Sequence, residues 1–245
     1  MTQGASTLQD FPLQSSVEAV KASLDFAAYD DFRRHLIEHL PYNSPQTRRR
    51  YADLIGHRYF PGQSLSNLLT DIWRPYQDDA ILADIMRVYA LEAEPVIANF
   101  LLQYVAPLAV GSHLDPAAAP EYISATYGRS IAKSCERLLQ TLNALGFLGR
   151  YSGTLIVKEV LTPADAFLLL LHDRLAPTPR IVRLSDILET RWWQFLGLKE
   201  PEAVRAILRR AEIAGLVARY ALVDELEQVT TRYARDSYIE QAKRL

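Results

Sequence analysis

The chain has one cysteine in 245 residues, Cys135, which excludes an internal disulfide and any zinc site built on paired thiolates. It also lacks a membrane-length apolar run. The longest, from Pro95 to Val110, is about 16 residues and is interrupted by Pro107, whereas a span needs roughly 20. That stretch reads as a buried helix. Glycine is scarce, and none of the ten falls in a phosphate-cradling loop, a dinucleotide-binding turn or a nucleophile elbow. The opening MTQGASTLQD has no basic segment followed by an apolar one, so no secretory signal is expected and a cytoplasmic location is. Residues 1–12 are small and polar, and are expected to be disordered.

What is present is an ordinary globular composition with an uneven charge. The formal net charge is −2. Residues 61–128 carry two basic and eight acidic side chains, whereas residues 41–60 carry four against one and residues 129–161 carry five against two. A weakly acidic protein still binds nucleic acid when its cations share a face, so the total charge does not decide the matter.

Apolar spacing predicts helices near 15–28, 30–40, 64–74, 78–92 and 95–109. Ser44-Pro45 marks a further helix start, with Ser as N-cap and Pro at the first helical position, running to about Tyr59. Residues 13–112 are thus expected to form a helical domain with a possible helix-turn-helix. The Pro- and Ala-rich stretch from Gly111 to Pro120 reads as a linker.

After it the pattern changes. A short helix from Pro120 to Tyr127 is followed by Gly128 and a longer helix from Ser130 to Leu145. In the longer one Ile131, Cys135, Leu138, Leu142 and Leu145 share one face. Gly146 stands where a left-handed residue ends a helix, and FLGRYSGTLIVKEV reads as two strands around a Ser152-Gly153 turn. The order repeats in residues 162–245. There Thr162-Pro163 opens a very apolar helix to about Leu175, Ser185 caps one near 186–196, and Pro201 starts another that ends at Gly215. LVARYALVDELEQVTTRY then forms a hairpin around Asp224-Glu225. LLQTLNALGFLGRY and ILRRAEIAGLVARY match in position, each leaving a helix through glycine into a strand. The expected fold is mostly α: a helical N-terminal domain, then tandem winged helix-turn-helix-like units with short β-hairpins, at 113–161 and 162–245.

Catalytic patterns are thin. His35-Leu36-Ile37-Glu38-His39 fits the H-x-x-E-H pattern of inverted zinc peptidases, but the pattern fixes three positions, no third ligand is apparent, and a surface helix explains it. Asp71, Asp78, Asp79 and Asp84 read as a solvated acidic surface, and Cys135 as a small buried hydrophobe. Of Trp192 and Trp193, one is expected in the core and the other at an interface. No enzyme activity, metal or cofactor is expected.

The cations are more informative. Arg129, Lys133 and Arg137 recur every four residues opposite the apolar face, accompanied by Ser130, Ser134, Gln140 and Thr141, as a recognition helix requires. Arg150 and Lys158 flank the wing. In the second unit Arg205 and Arg209 are four apart, beside Arg210 and Arg219, but Glu202 and Glu212 dilute that face. Arg48, Arg49, Arg50 and Arg58 make a third basic helix. Two readings stand: contact with double-stranded DNA through these residues, or a scaffold whose winged helices hold other proteins.

The segment SPQTRRRYADLIGHRYF, the stretch EPVIANFLLQYVAPLAVG and the tail of helices and wing-like hairpins together resemble the BrxA family of BREX phage-defence systems, over residues 30–240 or so. The resemblance implies a helical body with winged-helix elements, non-enzymatic binding of double-stranded DNA, and a place beside larger defence proteins. That family has also been likened to an RNA-binding antitermination factor and to an inner-membrane protein. The apolar run of about 16 residues fits the membrane assignment poorly.

Overall fold

The computed structural model describes residues 12–160, 164–176, 179–223 and 226–242. The polar segment 1–11, the Thr162-Pro163 helix start and the Asp224-Glu225 turn lie outside them. In chain order, α1 (Leu13–Ala22) runs into a 3-10 turn and is followed by α2 (Tyr29–His39) and α3 (Pro45–Tyr59). Helix α3 starts as its sequence predicts: Ser44 Oγ accepts from the Thr47 amide at 3.5 Å, with Pro45 in the first turn. In front of α4 (Leu68–Tyr76), Asn67 and Thr70 exchange side-chain and backbone hydrogen bonds in a capping box. Helix α5 (Asp79–Ala93) is capped by the Asp78 carboxylate, which accepts from the Ala80 and Ile81 amides. Next, α6 (Pro95–Phe100) continues as a π-helical turn, Leu101–Val105, instead of the α-helix expected to 109. Then come α7 (Ala118–Tyr127), α8 (Ala132–Ala144), β1 (Leu148–Tyr151), β2 (Thr154–Val157), α9 (Ala164–Arg174), β3 (Ile181–Arg183) and α10 (Leu184–Glu189). A 3-10 turn at Trp192–Leu196, α11 (Pro201–Ile213), β4 (Val217–Val223), β5 (Leu226–Thr231) and α12 (Arg235–Ala242) complete the order. The chain is mostly helical, with small antiparallel sheets.

Two compact units emerge, one of Met1–Gln14 with Leu91–Leu161 and one of Ser15–Ala90 with Thr162–Leu245. The expected linker at 111–120 therefore falls inside the first unit, for a backbone reason. The Gly111 amide donates to Val157 O, the Val157 amide to Ser112 O and the Leu114 amide to Leu155 O, at 2.8–2.9 Å, so this stretch lies against β2 as a third, bridge-like strand. Pro and Ala content had suggested a linker, but backbone pairing decides the outcome. The core of the unit is Ile97, Phe100, Ile123, Leu138, Leu142, Leu148 and Val157, all buried. Tyr122 donates from its hydroxyl to Val96 O at 2.8 Å.

The second unit repeats this order in residues 164–231: helix, short strand, helix, helix, hairpin. Its sheet has the strand order β3-β5-β4, so the unforeseen strand β3 takes the place that 111–114 takes in the first unit. Ser185 lies inside α10 and does not cap it. The boundary residue is Arg183, without a side-chain cap, and Arg191 at φ 57° breaks the expected 186–196 helix in two. The apolar run of α9 is buried from Ala166 to Leu171. Both tryptophans are in the core, contrary to the expected split: Trp192 stacks on Phe167 with centroids 5.0 Å apart, and Trp193 donates to Leu188 O at 3.1 Å. Gly146 and Gly215 take φ of 87° and 70°, the left-handed values that glycine adopts without a Cβ clash.

One register difference separates the two hairpins. In β1–β2, Leu148 pairs with Val157 and Tyr151 with Thr154, without interruption. In β4–β5 a bulge between Val217 and Arg219 leaves Ala218 without a cross-strand partner, and Tyr220 pairs with the buried Val229. One inserted residue moves every following side chain to the other face of the sheet.

Candidate nucleic-acid interface

Helix α8 turns Ser134, Cys135, Leu138, Thr141 and Leu142 inward. Ser134 and Thr141, expected on the polar surface, are therefore part of the core face, which is wider than the apolar residues alone had suggested. On the outer side Lys133, Glu136 and Gln140 are exposed, with Gln140 donating to Glu136 Oε1 at 2.9 Å. The three-cation stripe does not survive intact. Arg129 precedes the N-cap Ile131, so it belongs to the connection between α7 and α8, and Arg137 is half-buried and engaged within the protein.

The hairpin adds to this surface. Arg150 and Lys158 are exposed. The Lys158 stem lies flat across Gly149, where a Cβ would come 2.8 Å from Lys158 Cδ. Glycine in mid-strand gives that side chain its path. Among the described residues, the side chains of Arg129, Lys133, Arg150 and Lys158 form no hydrogen bond or ion pair, so four exposed cations of one compact unit are free to meet an anion.

The second unit is arranged oppositely. Arg205 on α11 grips Glu227 of β5 with Nε and Nη2, at 2.8 and 2.7 Å, and Tyr220 donates its hydroxyl to the same carboxylate at 2.6 Å. Hydrogen bonds from Arg205 first, and from Tyr220 second, hold the Glu227 carboxyl down at about 2. Burial and the bond to Glu227 push the Tyr220 phenol up to about 12. Arg209 pairs with Glu202 at 2.7 Å. Both arginines expected to face DNA are thus satisfied within the fold. Sequence had marked Glu202 as a diluting charge but not Glu227, which lies on another element. Arg210 and Arg219 remain exposed.

The arginines of the third basic helix, α3, have different surroundings. Arg48 donates to Ile37 O at 2.7 Å and to Tyr42 O at 2.8 Å, clamping the α2–α3 connection. Arg58 is only 2% exposed, out of reach of a surface phosphate. Arg49 and Arg50 are exposed, with the Arg50 guanidinium 4.9 Å from the Tyr51 ring centre.

His35 and His39 stack with centroids 4.2 Å apart, and no cluster of three or more His, Cys, Asp or Glu side chains suited to a metal occurs among the described residues. The acidic residues are not a solvated surface throughout. Asp84 is buried against Arg87 at 2.8 Å, and Asp71 meets Arg235 at 2.6 Å. Burial raises both carboxyls against the lowering effect of their arginines. Cys135 is buried, as expected. No helix among the described residues is long and apolar enough to cross a membrane.

Neither a family model, nor a curated protein, nor a solved structure matches the chain.

Proposed function

We propose that the protein binds double-stranded DNA through residues 91–161, acting as a winged-helix unit in which α8 and the β1–β2 hairpin face the duplex. The supporting observation is the set of four exposed, unengaged cations on or directly beside those elements, Arg129, Lys133, Arg150 and Lys158, in a chain of net charge −2. The α8 N-terminus has no acidic residue in its first turn, which leaves its dipole open to a phosphate. Binding is non-enzymatic and needs no cofactor. By its resemblance to the BrxA family, the protein acts as an accessory component of a phage-defence system, alongside other proteins of that system.

The second winged-helix-like unit has the features of a protein contact. Its Arg205 and Arg209 are neutralised internally, while Ile213 and Leu222 are 88% and 69% exposed. This observation favours a scaffold role for that unit as the second reading.

The test is a titration of a labelled duplex across a series of salt concentrations. Replacing Arg129, Lys133, Arg150 and Lys158 with Ala should flatten the slope of log affinity against log salt by up to about 3.6, at roughly 0.9 per phosphate contact. Replacing Arg205 and Arg209 should leave the slope unchanged. A folded four-residue variant with wild-type affinity and slope would refute the assignment and leave the scaffold reading.

A further inference from the structure

Tyr151 closes β1 with 70% of its surface exposed. Among the described residues its side chain makes no hydrogen bond and no ring contact. The tyrosine at the matching position of the second unit, Tyr220, is half-buried and bonded to Glu227. The difference follows from the bulge: with Ala218 inserted, Tyr220 falls on the face of the buried Val229. Without an insertion, Tyr151 falls on the face opposite the buried pair Leu148 and Val157. The folded unit therefore makes no structural use of this ring.

The tip fixes the backbone that carries the ring. Ser152 and Gly153 both have positive φ, 46° and 83°, as the two-residue turn that matches strand twist requires. The stretch 111–114 braces β2 from its other edge through three backbone hydrogen bonds. Lys158, laid over Gly149 on the face that Tyr151 shares, brings an ammonium to the same side, and Arg150 is exposed on the neighbouring residue. Arg150 falls on the opposite face of the strand, so the ring has Lys158 as its same-face cation. An exposed amphipathic ring beside a free ammonium suits a polymer that offers phosphates at regular intervals with sugars and base edges between them.

We propose that Tyr151 is the non-ionic anchor of this unit on duplex DNA, its ring packed against a sugar and base edge while Lys158 meets the adjoining phosphate. The assignment rests on the DNA-binding reading of residues 91–161 and names a contact that the cation pattern does not require. Its signature differs from that of the cations. A ring contact releases no counterion, so losing it lowers affinity at every salt concentration and leaves the slope intact.

The experiment is anisotropy titration of the full chain with a fluorescein-labelled duplex of about two helical turns at several salt concentrations. Tyr151→Ala should weaken binding about fivefold or more, as truncating a well-packed interface aromatic does, with the salt slope unchanged. Tyr151→Phe should keep wild-type affinity. Lys158→Ala should flatten the slope by about 0.9. Wild-type affinity in Tyr151→Ala would overturn the proposal, as would tighter binding of the unpaired strand than of the duplex. A melting temperature lowered in Tyr151→Ala along with its affinity would mean a structural role and would also overturn it. If the four-cation variant loses its salt dependence while Tyr151→Ala binds normally, only this inference fails; if the wild type does not bind the duplex, both fail.

Discussion

Acidification should destabilise the protein through a single imidazole. His172 sits in the last turn of α9, 1% exposed, with its Nδ1–H donating to Leu168 O at 2.8 Å. Its ring lies against Tyr238 of α12, centroids 3.8 Å apart and 11° from parallel. Burial lowers the imidazole pKa, outweighing the backbone hydrogen bonds to Leu168 and Leu216 that favour the charged form. The unfolded chain therefore takes up a proton near the ordinary value of 6.5 while the folded chain resists it. Stability is complete above that pH and falls below it until the lowered folded value is reached. The steepest possible loss is one proton's worth, about 1.4 kcal/mol per pH unit. Burial raises the carboxyls of Asp71, Asp84 and Asp173, which gives the opposite slope in the carboxylate range. Urea unfolding by circular dichroism between about pH 7.5 and 5.5 keeps to the histidine window. His172→Phe keeps an aromatic ring against Tyr238 and removes the titrating group, so its stability should be flatter with pH than that of the wild type. Identical pH slopes in the two proteins would refute the assignment.

Tyr238 is fully buried and its hydroxyl has no hydrogen-bond partner among the described residues, so Tyr238→Phe should stabilise the fold by about 1 kcal/mol in the same urea experiment. Arg58→Ala should cost about 3 kcal/mol, because it removes a large buried side chain and leaves a cavity, while Arg49→Ala on the exposed side of α3 should change the midpoint little. Gly149→Ala presses closely on the flexible Lys158 stem and reaches Ile156 at ordinary contact distance, so thermal melting should show stability preserved, and duplex titration should show weaker binding because the ammonium is displaced.

Elements with local signals were legible in the sequence. Ser44-Pro45, the Ser152-Gly153 turn and the helix-ending Gly146 and Gly215 each state their geometry within a few residues, and all appear as read. What failed depended on partners distant in sequence. The Gly111–Pro120 stretch has linker composition, yet its backbone pairs with β2 about 45 residues later. Arg205 and Arg209 have the spacing of a phosphate-binding helix face, but spacing cannot reveal that Glu227 waits on β5. Arg58 looked like its neighbours in a basic run and differs only in which side of α3 it occupies. Ser134 and Thr141 were assigned outward by polarity, whereas the width of the buried face on α8 is set by what packs against it. Tyr151 carried a faint signal, an aromatic directly before a two-residue turn, and its exposure follows from counting alternation along an unbulged strand.

The two helix-hairpin units show how one backbone order can serve different contacts. Aligned on Gly146 and Gly215, Lys133 corresponds to Glu202 and Glu136 to Arg205, so the outer helix face reverses its sign at two positions. The apolar positions do not reverse: Cys135, Leu138 and Leu142 correspond to Val204, Ile207 and Ala211, all buried. The core thus constrains one side of each helix and leaves the other free to carry either charge pattern. In the second unit Arg205, Glu227 and Tyr220 close on one another across the gap between α11 and the hairpin, a part-buried and geometrically specific arrangement that holds the wing to the helix. In the first unit the corresponding Glu136 is held by Gln140 on its own helix, and the wing cations are left unengaged. Because β1–β2 lacks the bulge, its tyrosine also turns outward. Charge placement and register therefore act together: the second hairpin uses its polar groups to fix its own geometry, and the first, braced by backbone pairing to 111–114, leaves them unengaged.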